Sequence, residues 1–247
     1  MKALILNSGV GKRMGDITKE HPKCMTEITS EDTILSRQLK LLSENGVNEV
    51  VMTTGPFEDT LIDYCKSLNL PINFEFVKNP IYRDSNYIYS MYLAKDKLDD
   101  DIVLMHGDLV FDEEVLKELL NREDSSMTVS STLPLPEKDF KAVIQNGEIK
   151  KVGIEFFEDA MAAQPLYKFN RNDFAKWMKS IEMFCERGIV GCYAENALNV
   201  ITDDLLLTPM DVMDKLCNEI DNPEDLNNIS ERLKKNSLDK GLRKEIK

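Results

Sequence analysis

Short apolar runs alternate with amphipathic stretches along the first half of the chain. Residues 3–6 form an unbroken apolar run, as expected of a strand buried on both faces. Between Thr33 and Asn45, Ile34, Leu35, Leu39, Leu41 and Leu42 fall at helical spacing, and Gly46 stands where a C-cap belongs. The pattern then predicts strands over 47–53, 72–77 and 101–106, and helices over 59–68 and 113–121. Strands separated by helices specify an α/β fold with right-handed crossovers: a Rossmann-like, mostly parallel mixed sheet flanked by helices.

The pattern changes over 127–153 to β-like pieces. Asn146-Gly147 between apolar residues predicts a tight hairpin. Residues 156–165 show no clear period, 166–169 suit a strand, and 172–187 suit a helix burying Phe174, Trp177, Met178, Ile181 and Phe184. The expected organisation is one domain over 1–233, with a small β insertion within 127–187 and a polar C-terminal tail over 234–247.

Composition narrows the function classes. The chain has 247 residues, 42% hydrophobic and 30% charged, which is ordinary for a folded α/β domain. A net charge of −13 argues against a nucleic-acid partner, because binding phosphate backbones needs a basic surface. No apolar run is long enough for a membrane span, and the N-terminus has no cleavage pattern, so a cytoplasmic protein is expected. The five cysteines include no C-x-x-C pair and only two histidines accompany them, which disfavours zinc.

Candidate chemistry gathers at the first strand's end. The chain passes through Leu6, Asn7, Ser8, Gly9, Val10 and Gly11, then Lys12 and Arg13, and Lys23 follows Pro22. Glycines spaced this way let the backbone approach a ligand, and successive N–H groups can form an anion nest. With three cations nearby, the segment reads as a polyphosphate cradle. It is neither a Walker A loop nor a dinucleotide fingerprint: Gly9, Gly11 and Gly15 are one residue too far apart for the latter.

Instead it resembles the nucleotidyltransferase signature L-A-A-G-x-G-x-R-[LM] followed by P-K, with Asn7-Ser8 replacing the usual alanines. The resemblance runs from Lys2 to about Leu233 and is weakest over 127–187. It is closest to the CTP:phosphocholine cytidylyltransferase branch, which includes enzymes for 2-aminoethylphosphonate, and it implies a nucleotide-diphospho-sugar transferase type of fold. Asn86 and Ser90 match that branch's N-x-x-x-S element, and Gly107-Asp108 match its G-D pair. Residues 219–226, EIDNPEDL, resemble its E-I-D-[ST]-P-E-D-L element.

The resemblance implies CTP and Mg²⁺ as partners, with Asp108, Glu219 and Asp221 as metal ligands. It implies a nucleotide site of Leu6, Asn7, Ser8, Gly9, Gly11, Lys12, Arg13, Asn86, Ser90 and Gly107, with Lys23 and Arg13 catalytic. It also places an acidic residue near Glu195 to meet a cationic acceptor; an exposed helix face is the alternative for that position. For Asp108 the alternative is a turn or helix cap, although Asp112 can fill that role. No aromatic cage for choline is visible, so an aminoalkyl phosphonate or phosphorylated amino acid fits as well as choline phosphate. A monomer or homodimer is expected. Two other readings stay open: a sugar-1-phosphate nucleotidyltransferase, and a silent nucleotide-binding regulator on the same fold.

Overall fold

The apolar run at the N-terminus becomes β1 (Lys2–Leu6), an interior strand of a nine-stranded sheet. This is a computed structural model, and it describes residues 1–245, with side chains to 236. The chain continues through α1 (Ile34–Glu44), β2 (Glu49–Thr54), α2 (Glu58–Ser67), β3 (Asn73–Lys78), α3 (Tyr87–Ala94) and β4 (Ile102–His106). A reciprocal box starts α1: Thr33 Oγ1 accepts from the Ser36 amide and Ser36 Oγ accepts from the Thr33 amide, each at 3.0 Å. β1 runs parallel to both neighbours, and Leu6 lies opposite Thr53 on one side and His106 on the other.

β5 (Leu109–Phe111), α4 (Glu113–Leu120) and β6 (Ser125–Ser130) follow, then β7 (Lys141–Gln145), β8 (Glu148–Gly153) and β9 (Ala160–Phe169). α5 (Arg171–Glu186), α6 (Ala194–Leu198), β10 (Leu207–Asp211), β11 (Cys217–Glu219) and α7 (Pro223–Glu245) complete the described chain. The main strand order is β10-β6-β9-β4-β1-β2-β3, with β9 antiparallel to β4 and β6. Alternate residues of β1 serve opposite faces of this sheet. Ala3 and Ile5 pack with Leu35, Leu39 and Leu116 of α1 and α4, and Leu4 and Leu6 pack with Met91 and Trp177 of α3 and α5. Burial on both faces explains the unbroken apolar run.

Two expectations about the middle of the chain are corrected. β9 starts at Ala160, well before the expected strand, because most of it is buried and leaves no alternation to read. Pro165 cannot donate in a ladder, and here it sits where the β6–β9 register shifts between Met127 and Val129. β6 and β9 also lie inside the main sheet, and α5 packs on α3, so 127–187 as a whole is not an insertion. Only the β7–β8 hairpin branches from β9, turning at Asn146 (φ 54°) and Gly147 (φ 78°). Much of the polar 234–247 stretch continues α7; its last two residues lie outside the described residues. No described helix is long and apolar enough to cross a membrane.

A third cluster carries the fold into the site. Met14, Ile28, Val110, Leu216, Ile220 and Ile229 pack together, tying the segment after the glycine turn to α7. β11 pairs antiparallel with β5, placing Glu219 opposite Leu109, and the Ile220 amide donates to the Asp108 carbonyl at 3.0 Å. Ile220 is fully buried, so Glu219 and Asp221 on either side of it are turned the other way.

Candidate active site

The glycine turn leaves the carboxyl end of β1, where α/β sheets place their ligands. Gly11 takes φ 68°, and Thr18 Oγ1 donates to its carbonyl at 3.0 Å. Neighbouring backbone grips the turn tightly. A Cβ on Gly107 would lie 1.6 Å from Asn7 Oδ1, and one on Gly55 would lie 2.3 Å from the Ser8 carbonyl oxygen. Ser8 is also held from α3: Ser90 Oγ donates to Ser8 Oγ at 3.0 Å, and Asn79 Nδ2 donates to Ser90 Oγ at 3.0 Å. Asn86 caps α3, its side chain accepting from the Tyr87 amide at 2.7 Å. Asn86 and Ser90 therefore do reach the glycine turn, Ser90 through direct contact and Asn86 across a shared cavity.

The carboxylates meet around Lys23. Its Nζ donates to Asp108 Oδ2 at 2.6 Å and to Asp221 Oδ1 at 2.8 Å, and Arg13 Nη2 donates to the same Asp221 oxygen at 2.8 Å. Burial alone would pull the Lys23 pKa down, but the two carboxylates outweigh it and hold it above the ordinary lysine value. Burial likewise opposes ionisation of Asp108, and Lys23 and His106 overcome it, leaving its pKa lowered. Glu219 has no ammonium of its own. Burial and the nearby Asp108 push its pKa up to about 7, although His106 pulls the other way. His106 Nδ1 lies 2.9 Å from Glu219 Oε1; burial lowers the imidazole pKa, but that carboxylate more than compensates and raises it to about 9. Asp112 occupies the N-cap position of α4, so Asp108 is not a helix cap.

Three adjoining cavities meet at Asp108. One, of about 280 Å³, lies over Gly9, Gly11, Lys12, Arg13 and Lys23. A second, of about 180 Å³, is lined by Ser8, Asn79, Tyr82, Asn86 and Ser90. The third, of about 190 Å³, is walled by Tyr87, Phe140 and Tyr193 and floored by Glu219 and Asp221. Phe140 and Tyr193 meet edge to face with centroids 5.2 Å apart, and Tyr87 lies 5.9 Å from Tyr193. This aromatic wall was invisible in the chain, because its members come from α3, the hairpin and the loop before α6. Gly55, Asn79 and His106 also escaped sequence reasoning; only the G-D pair immediately after His106 hinted at its position.

Glu195 does not have the expected acceptor-facing position. It is buried, its Oε1 accepts from Tyr167 Oη at 2.8 Å, and its Oε2 accepts from Tyr87 Oη. Both carboxylate oxygens are thus committed to phenols, and Glu195 braces the Tyr87 wall from behind. Glu195→Ala is expected to destabilise the fold by roughly 2–5 kcal/mol, since it strands two buried hydroxyls. Denaturant midpoints of the variant and the parent protein measure this, and Glu195→Gln, which can still accept, is expected to lose less.

The implied metal ligands Asp108, Glu219 and Asp221 all line the cavity over Phe140 and Tyr193. Among the described residues, His106, Asp108 and Glu219 form a group whose ligand atoms lie within 4.8 Å of one another. Asp221 joins this group through the Lys23 ammonium, which bridges it to Asp108. The carboxylates of Asp108, Glu219 and Asp221 are hard oxygen donors of the kind that suit Mg²⁺.

Comparison with known proteins finds nucleotidyltransferases. The chain is 27% identical over 160 residues to the CTP:phosphoglutamine cytidylyltransferase of Campylobacter jejuni, covering 62% of each chain. It is 30% identical over 131 residues to the CMP-5'-(3-aminopropyl)phosphonate synthase of Streptomyces rubellomurinus, covering 53% of this chain and 21% of that one. The matches thus span less than two thirds of either relative. The fold superposes on the CTP:phosphocholine cytidylyltransferase of Streptococcus pneumoniae with a TM-score of 0.74 and 19% identity, covering 94% of this chain and 98% of that one. Residues 3–135, more than half of the chain, match the MobA-like NTP transferase domain, from β1 through the glycine turn and Asp108 to the end of β6. The chain belongs to the MobA-like NTP transferase family.

Proposed function

We propose that the protein transfers CMP from CTP to a small, amine-bearing phosphate or phosphonate, releasing pyrophosphate. The observation that carries this reading is the third cavity, where aromatic faces and carboxylates adjoin the phosphate cradle at Asp108. Such a cavity favours a compact cation, through ring quadrupoles and through paired charge. The two relatives named above for phosphoglutamine and aminopropylphosphonate chemistry support the same acceptor class.

In this reading the triphosphate lies over the glycine turn, with Lys12 and Arg13 against its β- and γ-phosphates. The nucleoside extends into the cavity lined by Ser8, Asn86 and Ser90. An ionised oxygen of the acceptor attacks the α-phosphorus in line, and the bond to the bridging oxygen breaks as pyrophosphate leaves. That oxygen is already deprotonated at neutral pH, so no general base is required. Catalysis then consists of positioning and charge neutralisation. Lys23 turns from the carboxylates towards the transferring phosphoryl group, while Arg13 screens Asp221. Mg²⁺, held by Asp108 and Glu219, would supply further neutralisation at the phosphates.

The test is pyrophosphate release with Mg²⁺, crossing CTP, UTP, ATP and GTP with phosphocholine, 2-aminoethylphosphonate, phosphorylated amino acids and sugar 1-phosphates. Release requiring CTP and one amine-bearing acceptor is the expected result. Release only with sugar phosphates would overturn the acceptor assignment, and binding of CTP without release for any pair would point to a silent binder.

A further inference from the structure

We propose that the acceptor carries a carboxylate beside its amine, as a phosphate- or phosphonate-bearing α-amino acid does, and that Lys138 and Asp139 read this zwitterion. The inference rests on the nucleotidyl-transfer reading above and names the acceptor class within it. Both residues belong to the 131–140 loop between β6 and β7, and both line the third cavity beside Phe140 and Tyr193. The other charged groups around this cavity already have partners: Arg13 bonds to Asp221, His106 to Glu219, and Asp108 to Lys23. Among the described residues, the Lys138 ammonium and the Asp139 carboxylate form no ion pair, either with these groups or with each other. Burial and the charges of Asp221 and Asp225 hold the Asp139 pKa above the usual carboxylate value, against the pull of Arg13 and Lys141. A bound ammonium would relieve that repulsion.

Lys141 holds the loop in place. It is fully buried, and its Nζ donates to the Pro136 carbonyl at 2.5 Å and to the Asp139 carbonyl at 3.2 Å. These two carbonyls bracket Lys138 along the chain, so an internal ammonium fixes the backbone on both sides of it. Lys141 also stands over the Phe157 ring, 4.2 Å from its centroid. A loop ordered in advance loses less freedom when a ligand arrives. An α-amino acid carries its ammonium and carboxylate on one carbon, and adjacent opposite charges on the protein suit that short separation. A simple aminoalkyl phosphate would satisfy Asp139 and leave Lys138 without a partner.

Two matched pairs isolate the carboxylate. 2-Amino-3-phosphonopropionate differs from 2-aminoethylphosphonate by that group alone, and O-phosphoserine differs from phosphoethanolamine in the same way. The two phosphonates are titrated by calorimetry into the full chain with an α,β-methylene analogue of CTP present, so that binding is read without turnover. The expected result is about 10-fold or tighter binding of the carboxylated member, the scale of one charge-assisted contact, reduced to about two-fold or less in Lys138→Met. Asp139→Asn is expected to weaken both members by a similar factor. Equal binding, tighter binding of the carboxylate-free member, or no detectable binding of either to the unaltered protein would overturn the proposal. A preference that survives in a folded Lys138→Met would overturn the role of Lys138. The phosphate pair is then compared by pyrophosphate release with CTP and Mg²⁺. Release with phosphoethanolamine alone would overturn the acceptor class and leave CMP transfer standing. A binding preference for the zwitterion without release from any acceptor would support its recognition and sink the nucleotidyl-transfer reading instead.

Discussion

Lys23→Met is expected to lower pyrophosphate release by about 100-fold or more, the scale of losing one pre-positioned electrostatic donor at a developing oxyanion. Lys23 is mostly buried, and its ammonium is shared between Asp108 and Asp221. It stands in the lining of the phosphate cavity, so a triphosphate arriving there offers stronger acceptors than the two carboxylates. A methionine keeps most of the side chain's length but removes the cation that Asp108 and Asp221 share, leaving Asp221 to Arg13 alone, which adds a stability cost. Arginine would not restore activity, since its planar fork cannot stand where a compact ammonium bridges two carboxylates. Turnover and thermal melting, measured together, separate the two effects. Unchanged turnover in a folded Lys23→Met would remove Lys23 from the chemistry.

Asp108→Asn is expected to cut turnover by roughly two to three orders of magnitude, equivalent to about 3–4 kcal/mol of lost transition-state stabilisation. Asparagine fills the same space but has no charge to offer a cation, while Lys23 keeps its bond to Asp221. Because Asp108 borders all three cavities, the loss should appear mainly in the chemical step, with nucleotide affinity changed far less. Single-turnover kinetics with nucleotide binding by calorimetry distinguish these contributions. If turnover and cation affinity were both unchanged, Asp108 would not be a metal ligand.

Particular residues show where sequence reasoning reached and where it stopped. The strand, the glycine turn and the nearby cations Arg13 and Lys23 follow from local pattern, whereas Asp108, |i−j| = 85 from Lys23, was reached through the resemblance of its G-D pair. The pair Glu219 and Asp221 was legible as two carboxylates flanking a buried Ile220, and the structure keeps that alternation. It divides their partners, however, giving Glu219 to His106 and Asp221 to Lys23 and Arg13. Glu195 had the right residue type for a cation but lies behind two tyrosines.

By itself the sequence determined the α/β alternation, the phosphate-cradle segment, the hairpin at Asn146-Gly147 and the acidic element at 219–221. These depend on dihedral preferences and side-chain periods that act over a few residues. Only the tertiary structure decided that β9 enters the main sheet and that Tyr87, Phe140 and Tyr193 form one wall. It alone put His106 beside Glu219, separated by |i−j| = 113 along the chain. Those outcomes depend on which buried faces pack together, and contacts so distant in sequence leave no local periodicity.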